Sequence, residues 1–422
     1  MTAFSQSEQH ALQASYDDVW LVDGRRTPFA DLSGVLRDVS PTDLGIQAAR
    51  ALFEASGIAP SEVNAVIAGN VAQASFDAYM LPRHIGLYSG VPQHVPALLV
   101  HRLCATGFEA IITAADQISL GRAQLVLCVG AESMSRNPVA SYTHRSGFRM
   151  GQVDFRDFLW EALHDPAPDV SMGHTAENLA ARYDVSRREA DEFAARSFAN
   201  AEAAWDSGYF DTEVTPVRNA EWTLDGYQPR RLKLANRVEE LTRDNHVRPS
   251  PLEVLEKLRP AFGGVQTGGN SSAIVDGAGA VFVASGDFVR AHGLKPLARI
   301  AGGSVVGVPP EIMGIGPAPA IRALLTNRGM TLDEVGRFEI NEAFAAQVIA
   351  CERELGLDRE RLNRKGGSIA MGHPLAVSGV RLTHTLARQL QQDDQQFGIS
   401  SACAGGGQGI AILLENAATG GH

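Results

Sequence analysis

The chain has 422 residues, of which 45% are hydrophobic and 20% are charged, and its formal net charge is −11. This length is too great for one ordinary hydrophobic core, so we expect two or three globular domains. The acidic balance excludes a general attraction for nucleic acid, and a polar start without any apolar run of about 18 residues predicts neither a membrane span nor an export signal.

The first elements alternate between strands and helices. A strand is predicted at Val19–Gly24, with a turn over residues 25–28, and a helix at Leu44–Phe53 is predicted to end at Gly57. Three further apolar runs predict buried strands, at Val63–Gly69, Val95–Val100 and Leu125–Gly130. This order is typical of a parallel or mixed sheet with helices on its faces.

Cys104 lies where the run Val95–Val100 ends and an Ala-rich helical pattern begins at Ala105. A helix start presents unpaired N–H groups and partial positive charge, which stabilise a thiolate and lower the pKa of a thiol below about 8.5. Cys104 is therefore a candidate nucleophile. The alternative is a small buried hydrophobic residue, which is the role of most free cysteines.

The spacing of the four cysteines indicates the redox state of the compartment in which the protein works. Cys104, Cys128, Cys351 and Cys403 include no CxxC pair. This spacing favours a reducing compartment over a disulfide framework, and it argues against structural zinc. We therefore expect a cytoplasmic protein without a bound metal.

An internal repeat relates the two ends of the chain. Residues 50–63 align without gaps on residues 322–335, with six of fourteen positions identical, at a shift of 272 residues. At the same shift, residues 103–107 fall on residues 375–379. Two segments that share one shift indicate a duplicated α/β unit, which would bring Cys104 near the corner at His373.

The segment between the repeats has a different composition. Charged side chains make up about 27% of residues 134–272 and about 17% of the remainder. Helices are predicted at Ala176–Tyr183 and Arg187–Ala204, the second with Ser186 as N-cap in a capping box. We therefore expect an inserted loop domain over residues 134–272, an N-terminal half over residues 1–133 completed by about residues 273–294, and a C-terminal half over residues 295–422.

The insertion also carries a group of basic residues, which are Arg230, Arg231, Lys233, Arg237, Arg243 and Arg248. One interpretation is a solvated face of the domain. The other is a site for a phosphorylated ligand, because the guanidinium group matches phosphate geometry.

Three turns in the second half carry chemically useful groups. Asn341 and Glu342 follow a strand, His373 lies at a Gly-His-Pro corner, and Cys403 precedes a glycine-rich turn with N–H groups open to a ligand. Each alone also fits a satisfied polar turn, a core histidine or an inert thiol. Together they predict a reaction site at the strand ends of an α/β fold.

Several motifs together resemble those of the thiolase family. The segments that resemble its four catalytic blocks are Leu103–Gly107, Asn341–Phe344, Gly372–Pro374 and Cys403–Gly406. Gly130–Ser135 resembles the segment that follows its nucleophile helix. The segments that resemble its pantetheine-contacting stretches are Met172–Asn178 and Gly269–Ser272. The resemblance runs roughly from Val19 to Glu415. It implies a duplicated five-layered αβαβα core and an acyltransferase that acts on CoA thioesters, as an acetyl-CoA acetyltransferase or 3-ketoacyl-CoA thiolase.

The resemblance also implies catalytic roles. Cys104 is implied as the nucleophile that forms an acyl-enzyme, with His373 as its base. Cys403 is implied as the acid and base toward the carbon of acetyl-CoA. His373 and a water held by Asn341 are implied to meet the enolate charge, with Glu342 orienting Asn341 or the water.

Further positions are implied to bind the substrate. The backbone N–H groups of Cys104 and Gly405 are implied to face the acyl carbonyl. The positions that match the lining of the pantetheine tunnel are Met172, Ser272, Met313, Ala343 and Phe344. Arg248 matches a position near the nucleotide, which gives the basic group its ligand-binding interpretation. CoA is thus expected as a substrate, with no bound cofactor and no metal.

The sequence departs from the family pattern at three positions. Ala376 replaces a usual glycine, Ser171 replaces a common histidine, and Gly268 replaces a usual alanine. No catalytic group is lost, but chain-length preference and the direction of the reaction are left open.

Two other functions fit a protein of this fold. A 3-oxoacyl carrier-protein synthase-like enzyme would use a cysteine with two histidines, whereas here Asn341 takes the place of the second histidine and Cys403 is added. An acyl-CoA carrier without turnover would lack Cys104, His373 or Cys403.

The family resemblance further implies a homodimer or homotetramer and a partner in a β-oxidation complex.

Overall fold

The computed structural model describes residues 4–142 and 144–418. Its α-helices are α1 (Ser5–Gln9), α2 (Pro41–Ser56), α3 (Leu81–Tyr88), α4 (Thr106–Ser119), α5 (Phe158–Ala162), α6 (Met172–Arg182), α7 (Arg187–Asp206), α8 (Leu252–Leu255), α9 (Gly286–Ala291), α10 (Pro317–Arg328), α11 (Ala345–Leu355), α12 (Ser368–Met371) and α13 (Ser378–Gln392). Its strands are β1 (Leu12–Ser15), β2 (Val19–Arg26), β3 (Ala30–Asp31), β4 (Ala65–Gly69), β5 (Ala97–Val100), β6 (Leu125–Glu132), β7 (Val139–Ala140), β8 (Arg156–Asp157), β9 (His164–Asp165), β10 (Val170–Ser171), β11 (Val217–Arg218), β12 (Ala220–Trp222), β13 (Arg230–Leu232), β14 (Glu240–Leu241), β15 (Val275–Ser285), β16 (Ala298–Gly307), β17 (Arg337–Ile340), β18 (Phe397–Ala404) and β19 (Gln408–Asn416).

A mixed sheet of eleven strands runs through both halves of the chain. Its main path has the order β17-β18-β19-β16-β2-β15-β6-β4-β5, and β1 and β3 pair beside β16 and β15. The two halves meet at β16 and β2, where only two residue pairs, Ala298 with Leu21 and Arg299 with Trp20, are in register. The sheet therefore consists of two half-sheets with a short junction.

Helices lie on both faces of each half-sheet. Successive residues of β19 show this, because Ile412 and Leu414 face the apolar cluster around α4 and α13, whereas Leu413 faces the cluster around α10 and α11. Helices α2 and α3 cover the outer face of the other half-sheet. The layers are thus α, β, α, β and α, and the predicted five-layered core is confirmed.

Helices α4 and α13 form the middle layer, and glycine lets them approach closely. A Cβ at Gly107 would lie 2.6 Å from the Ala376 carbonyl oxygen, and one at Gly379 would lie 2.1 Å from the Phe108 nitrogen. Any larger residue would push the two helix starts apart. The corner that contains Cys104 and the corner that follows His373 are therefore pressed together.

The duplication predicted from the repeat is visible in the elements. A shift of 272 residues places β6 on β18 and the 3-10 turn Leu103–Ala105 on the 3-10 turn Leu375–Val377. The left-handed glycines that end α2 and α10, Gly57 and Gly329, are related by the same shift. The repeat therefore reproduces both the elements and their ends.

Among its described residues, the segment between the halves contributes no strand to the large sheet. Its strands β7 to β14 form four separate pairs, and its longest helices are α6 and α7. Helix α7 begins with the predicted capping box, in which Ser186 and Glu189 bond to each other's backbone. Its apolar face, including Phe193 and Phe198, packs in the same cluster as α10 and α11.

Two local predictions were wrong. The predicted turn over residues 25–28 begins inside β2, which continues to Arg26, because Arg26 is buried against Glu213 and Asp244 of the inserted segment. The run Val95–Val100 is not a fully buried strand. It forms β5 at the edge of the sheet, where Leu98 is 47% exposed, because β5 has β4 as its one neighbour in the sheet path.

Candidate active site

Cys104 lies in a tight 3-10 turn between β5 and α4. Leu103, the residue before it, has a φ of 47°, which is strained for a branched side chain. Thr106 holds the turn, because its Oγ1 accepts from Arg102 N at 2.8 Å and donates to Leu103 O at 2.7 Å. The sequence thus builds a fixed elbow that presents the Cys104 side chain.

The thiol of Cys104 is not the low-pKa group that its helix position predicted. Burial raises the pKa of the Cys104 thiol to about 11, although the backbone N–H groups of Gly405 and Cys104 bond to the sulfur and lower it, while the Glu132 carboxylate raises it. The short 3-10 turn therefore does not offset desolvation. The resting group is a neutral thiol that needs a base.

His373 is held at a corner that requires glycine before it. Gly372 has a φ of 100°, and a Cβ there would lie 2.4 Å from Val275 Cγ1. The His373 backbone N–H donates to Ala273 O at 2.9 Å, and the imidazole is 5% exposed. Burial and the nearby Arg381 guanidinium lower the pKa of His373 to about 3, so the ring is neutral near pH 7.

The hydrogen bonds around His373 indicate which ring nitrogen carries no proton. Arg381 can only donate, so its contact with Ser368 Oγ at 3.4 Å makes that oxygen an acceptor, and the Ser368 hydroxyl donates to Asn341 Oδ1 at 2.8 Å. The Asn341 amide nitrogen then faces His373 Nε2 at 3.4 Å as a donor. The Nδ1 proton consequently points to Ser378 Oγ at 2.6 Å. Nε2 carries the lone pair, as a general base requires.

We expect Ser378→Ala to lower kcat by about tenfold to a hundredfold with little change in KM, because the imidazole loses the partner that fixes its tautomer and orientation. Steady-state kinetics of both variants would measure this, with Ser378→Thr as the control that keeps the hydroxyl. Equal loss in the alanine and threonine variants would contradict the assignment.

Cys403 lies within β18, beside the turn to β19, rather than on a loop as predicted. It is fully buried, and burial raises the pKa of its thiol well above the usual value, with Cys104 close enough to add to the effect. Gly406 and Gly407 then take left-handed φ values of 74° and 81°. This turn brings Gly405 against Leu103, since a Cβ on Gly405 would lie 3.2 Å from Leu103 Cδ1.

Glu342 supports the site from behind. Its carboxylate accepts from Ser197 Oγ at 2.6 Å, from Asn363 Nδ2 at 2.9 Å and from the Ile369 N–H at 3.2 Å. Burial raises the pKa of Glu342. It thereby ties α7 of the inserted segment to α12, whose Ser368 holds Asn341.

A cavity of about 220 Å³ opens beside these groups. It is lined by Met134, Trp160, Leu163, Ser171, Met172, Gly173, Ala261, Phe262, Thr267, Gly268, Ser271, Ser272, Ala273, Ile274, Phe344, His373 and Leu375. Cys104 packs in a small apolar cluster with Met134 and Leu375, which both belong to this lining. Cys403 packs in a second cluster with Phe344, which also lines the cavity.

The residues predicted to bind CoA divide into three groups. Met172, Ser272 and Phe344 line the cavity. Met313 and Ala343 pack behind it in the cluster that contains Cys403, and Ala343 O accepts from the Ser272 N–H at 2.9 Å. Arg248 lies outside this lining.

The basic group of the insertion is partly neutralised by carboxylates of the same chain. Arg230 is paired with Asp43 and Asp77, Arg231 with Glu221, and Arg243 with Asp206. Arg248 instead lies 6.0 Å over the Phe198 ring and bonds to His246. Three of the predicted phosphate-binding residues are therefore engaged in ion pairs.

Sequence reasoning missed several supporting residues. Ser378 aligns with Thr106 at the repeat shift, and both bond to the corner before them, so the repeat carried a signal for it. Glu132 is buried, and its burial raises the pKa of its carboxyl group to about 7. The carboxylate accepts hydrogen bonds from the N–H groups of Val71, Ala72 and Ala376. It thus connects the end of β6 to the corner that follows His373.

In the described residues, neither a membrane-spanning helix nor a metal centre accompanies this site. None of the helices in residues 4–142 and 144–418 has the length and apolarity needed to cross a bilayer. Within the same ranges, no group of three or more His, Cys, Asp or Glu residues is arranged to hold a metal ion.

Known proteins resemble this chain over nearly its whole length. A thiolase N-terminal domain matches residues 19–287, and a thiolase C-terminal domain matches residues 294–416. The mitochondrial 3-ketoacyl-CoA thiolase of Pongo abelii is 43% identical over 404 residues, covering 95% of this chain and 98% of that protein.

Solved structures agree with this assignment. The crystal structure of human mitochondrial 3-ketoacyl-CoA thiolase matches with a TM-score of 0.89 and 42% identity, covering 96% of this chain and all of that one. The crystal structure of that enzyme in complex with CoA matches with a TM-score of 0.88 and 42% identity, covering 94% and 98%. The chain therefore belongs to the thiolase family.

Proposed function

We propose that this chain is an acetyl-CoA C-acyltransferase, which uses CoA to cleave a 3-oxoacyl-CoA into acetyl-CoA and a shortened acyl-CoA. One observation carries the proposal. The backbone N–H of Gly405, two residues beyond Cys403, bonds to the sulfur of Cys104 beside a cavity that His373 lines. The same groups serve the reverse condensation, since a reaction and its reversal share one transition state.

The first half-reaction forms an acyl-enzyme. Cys104 gives its proton to His373 Nε2, and the sulfur attacks the 3-oxo carbon, while the N–H groups of Cys104 and Gly405 meet the charge on its oxygen. The bond between carbons 2 and 3 then breaks, and its electron pair forms the enolate of acetyl-CoA. Protonated His373 and a water held by Asn341 stabilise the enolate, and Cys403 gives its proton to carbon 2.

The second half-reaction restores the enzyme. The thiol of an incoming CoA gives its proton to the Cys403 thiolate, and the CoA sulfur attacks the acyl carbon. The bond from that carbon to the Cys104 sulfur breaks, and the sulfur takes its proton back from His373. Each proton released in one half-reaction is thus returned in the other.

CoA is proposed as a substrate of this site rather than a resident cofactor, since two thiols and an imidazole carry the chemistry. Met172, Ser272 and Phe344 contact pantetheine from the cavity wall, with Met313 and Ala343 supporting that wall. Arg248 contacts the nucleotide end. The CoA complex of the human relative supports this assignment.

Assembly and compartment are further parts of the proposal. A homodimer or homotetramer is supported by the edge strand β5, where Leu98 is 47% exposed and one side of the strand is unpaired in the single chain. Association with a β-oxidation partner and a cytoplasmic location rest on the sequence alone. The similar animal enzyme is named as mitochondrial, so cell fractionation is the direct test of the compartment.

We expect the wild-type protein to release acetyl-CoA from acetoacetyl-CoA or from 3-oxohexadecanoyl-CoA when free CoA is added. The ratio of kcat/KM for the two substrates measures chain-length preference. Folded protein that binds acyl-CoA but turns over neither substrate would replace this proposal with the carrier function. Turnover of acyl carrier-protein substrates alone would favour the synthase-like alternative.

A further inference from the structure

Arg102 connects the two halves of the chain beside the nucleophile turn. Its Nε donates to Glu109 Oε2 in α4 at 2.6 Å, and its Nη1 donates to Gln408 Oε1 at the start of β19 at 2.9 Å. The arginine side chain is 23% exposed and that of Glu109 is 20% exposed, so both are partly shielded from water. The mechanism above assigns no task to either Arg102 or Gln408.

Both ends of this connection adjoin a turn with left-handed backbone. On one side, Leu103 takes its left-handed φ of 47° between Arg102 and Cys104. On the other side, Gln408 ends the turn in which Gly406 and Gly407 are left-handed. The strained Leu103 persists only where its surroundings hold it. Glycine adopts the left-handed conformation without strain, so the second turn is fixed by its contacts rather than by its own backbone. The bond from Arg102 to Gln408 ties the two turns together.

The two turns supply the two N–H groups that bond to the Cys104 sulfur. One is the N–H of Cys104 itself, and the other is that of Gly405. These residues are about 300 positions apart in the sequence and belong to different halves of the duplicated fold. Their spacing therefore depends on noncovalent contacts between the turns.

We propose that Arg102 and Gln408 are positioning residues, whose hydrogen bond sets the spacing of the two N–H donors around the Cys104 sulfur and the acyl oxygen. The inference rests on the proposed function for its effect on turnover. Neither side chain touches the reacting atoms. Glu109 orients the guanidinium, so the brace consists of Glu109, Arg102 and Gln408.

A brace of this kind affects the transition state more than substrate binding. Donors preorganised for a developing oxyanion act when the charge forms, so misplacing them lowers kcat and leaves KM nearly unchanged. We expect Arg102→Met and Gln408→Leu each to lower kcat for thiolysis by about tenfold to thirtyfold, with KM within about twofold. Gln408→Glu keeps an acceptor oxygen and is expected to stay within about threefold of wild type.

The double variant tests whether the two residues act through one bond. We expect Arg102→Met with Gln408→Leu to be no slower than the slower single variant, because the second change removes nothing further. The matched control is Arg299→Met. Arg299 is 20% exposed, as a partly shielded arginine should be for this comparison, and it joins β16 to Glu415. Glu415 lies in β19 as Gln408 does, but at the opposite end of that strand. This control is expected to lose stability without a change in kcat.

A second measurement does not depend on turnover. The rate of Cys104 alkylation by iodoacetamide at pH 9 reports how well the two N–H groups stabilise the thiolate, and it is expected to fall severalfold in Arg102→Met and Gln408→Leu. Additive losses in the double variant, an effect on KM alone, or an equal loss in Arg299→Met would overturn the brace. If the wild type shows no thiolysis, the proposed function fails, while unchanged alkylation in the brace variants would independently reject the brace.

Discussion

Cys104→Ala is expected to lower thiolysis of 3-oxoacyl-CoA by about 10⁴-fold or more, because no other group replaces the covalent nucleophile. Acetyl-CoA release measures the loss. Mass spectrometry of wild type mixed with substrate and no CoA should show an acyl adduct on the peptide that contains Cys104, and the variant should show none.

Cys128→Ala is the matched control for this variant. Cys128 is a fully buried thiol of β6 whose sulfur contacts Ala110 O at 3.5 Å, on the middle layer of the fold. We expect its loss to reduce stability modestly while kcat stays within about twofold. Retained turnover in Cys104→Ala, or an acyl adduct on another cysteine, would reject Cys104 as the nucleophile.

The pH dependence of Cys104 alkylation follows from its raised pKa. Only the thiolate reacts with iodoacetamide, and a thiol with a pKa of about 11 has a thiolate fraction that rises about tenfold per pH unit from pH 7 to pH 10. The rate is therefore expected to keep rising above pH 9. A plateau of the alkylation rate near pH 8.5 would contradict the structure, because it would show that burial does not raise the pKa of this thiol.

Much of the fold could be predicted from sequence because it depends on local patterns and on one repeat. The helix stop at Gly57 and the capping box at Ser186 are short-range signals with a direct physical cause. The repeat added long-range information, since it implied that Cys104 and the corner after His373 meet. In the structure these two corners do meet, because Gly107 packs directly against the Ala376 carbonyl.

Other features could not be predicted because they depend on contacts between distant segments. Arg26 continues β2 only because Glu213 and Asp244, which are 187 and 218 residues away, neutralise it inside the protein. The thiol pKa of Cys104 depends on how completely the surrounding turns exclude water. Helix position alone therefore predicted the wrong direction of that shift.

The candidate site shows the same division. The types of the catalytic groups could be recognised from motifs, whereas the tautomer of His373 required the chain of bonds through Ser368 and Asn341 to Ser378. Asn341, Ser368 and Ser378 lie in separate segments, and no short-range pattern pairs them. Only the structure orders their donors and acceptors.

Cys403→Ala is expected to separate two reactions that the wild type performs at one site. Cleavage of the bond between carbons 2 and 3 adds a proton to carbon 2, and formation of that bond removes one. Cys403 performs this transfer, so we expect thiolysis to fall by about 10³-fold to 10⁴-fold in its absence. Exchange of the acyl group between acetyl-CoA and labelled free CoA does not protonate carbon 2, so Cys403 keeps its proton. His373 takes the Cys104 proton and returns it to the departing CoA thiolate, so exchange needs only Cys104 and His373. We expect exchange to remain within about tenfold of wild type.

The comparison of the two rates is decisive because both use the same nucleophile and the same cavity. His373→Ala should depress both reactions, since His373 accepts the Cys104 proton in each. Cys128→Ala, at a fully buried cysteine of the middle layer, is the matched control and should leave both within about twofold. An equal loss of exchange and thiolysis in Cys403→Ala would assign Cys403 to packing around Phe344 instead, because a collapsed cavity impairs every reaction that begins with acyl-CoA binding.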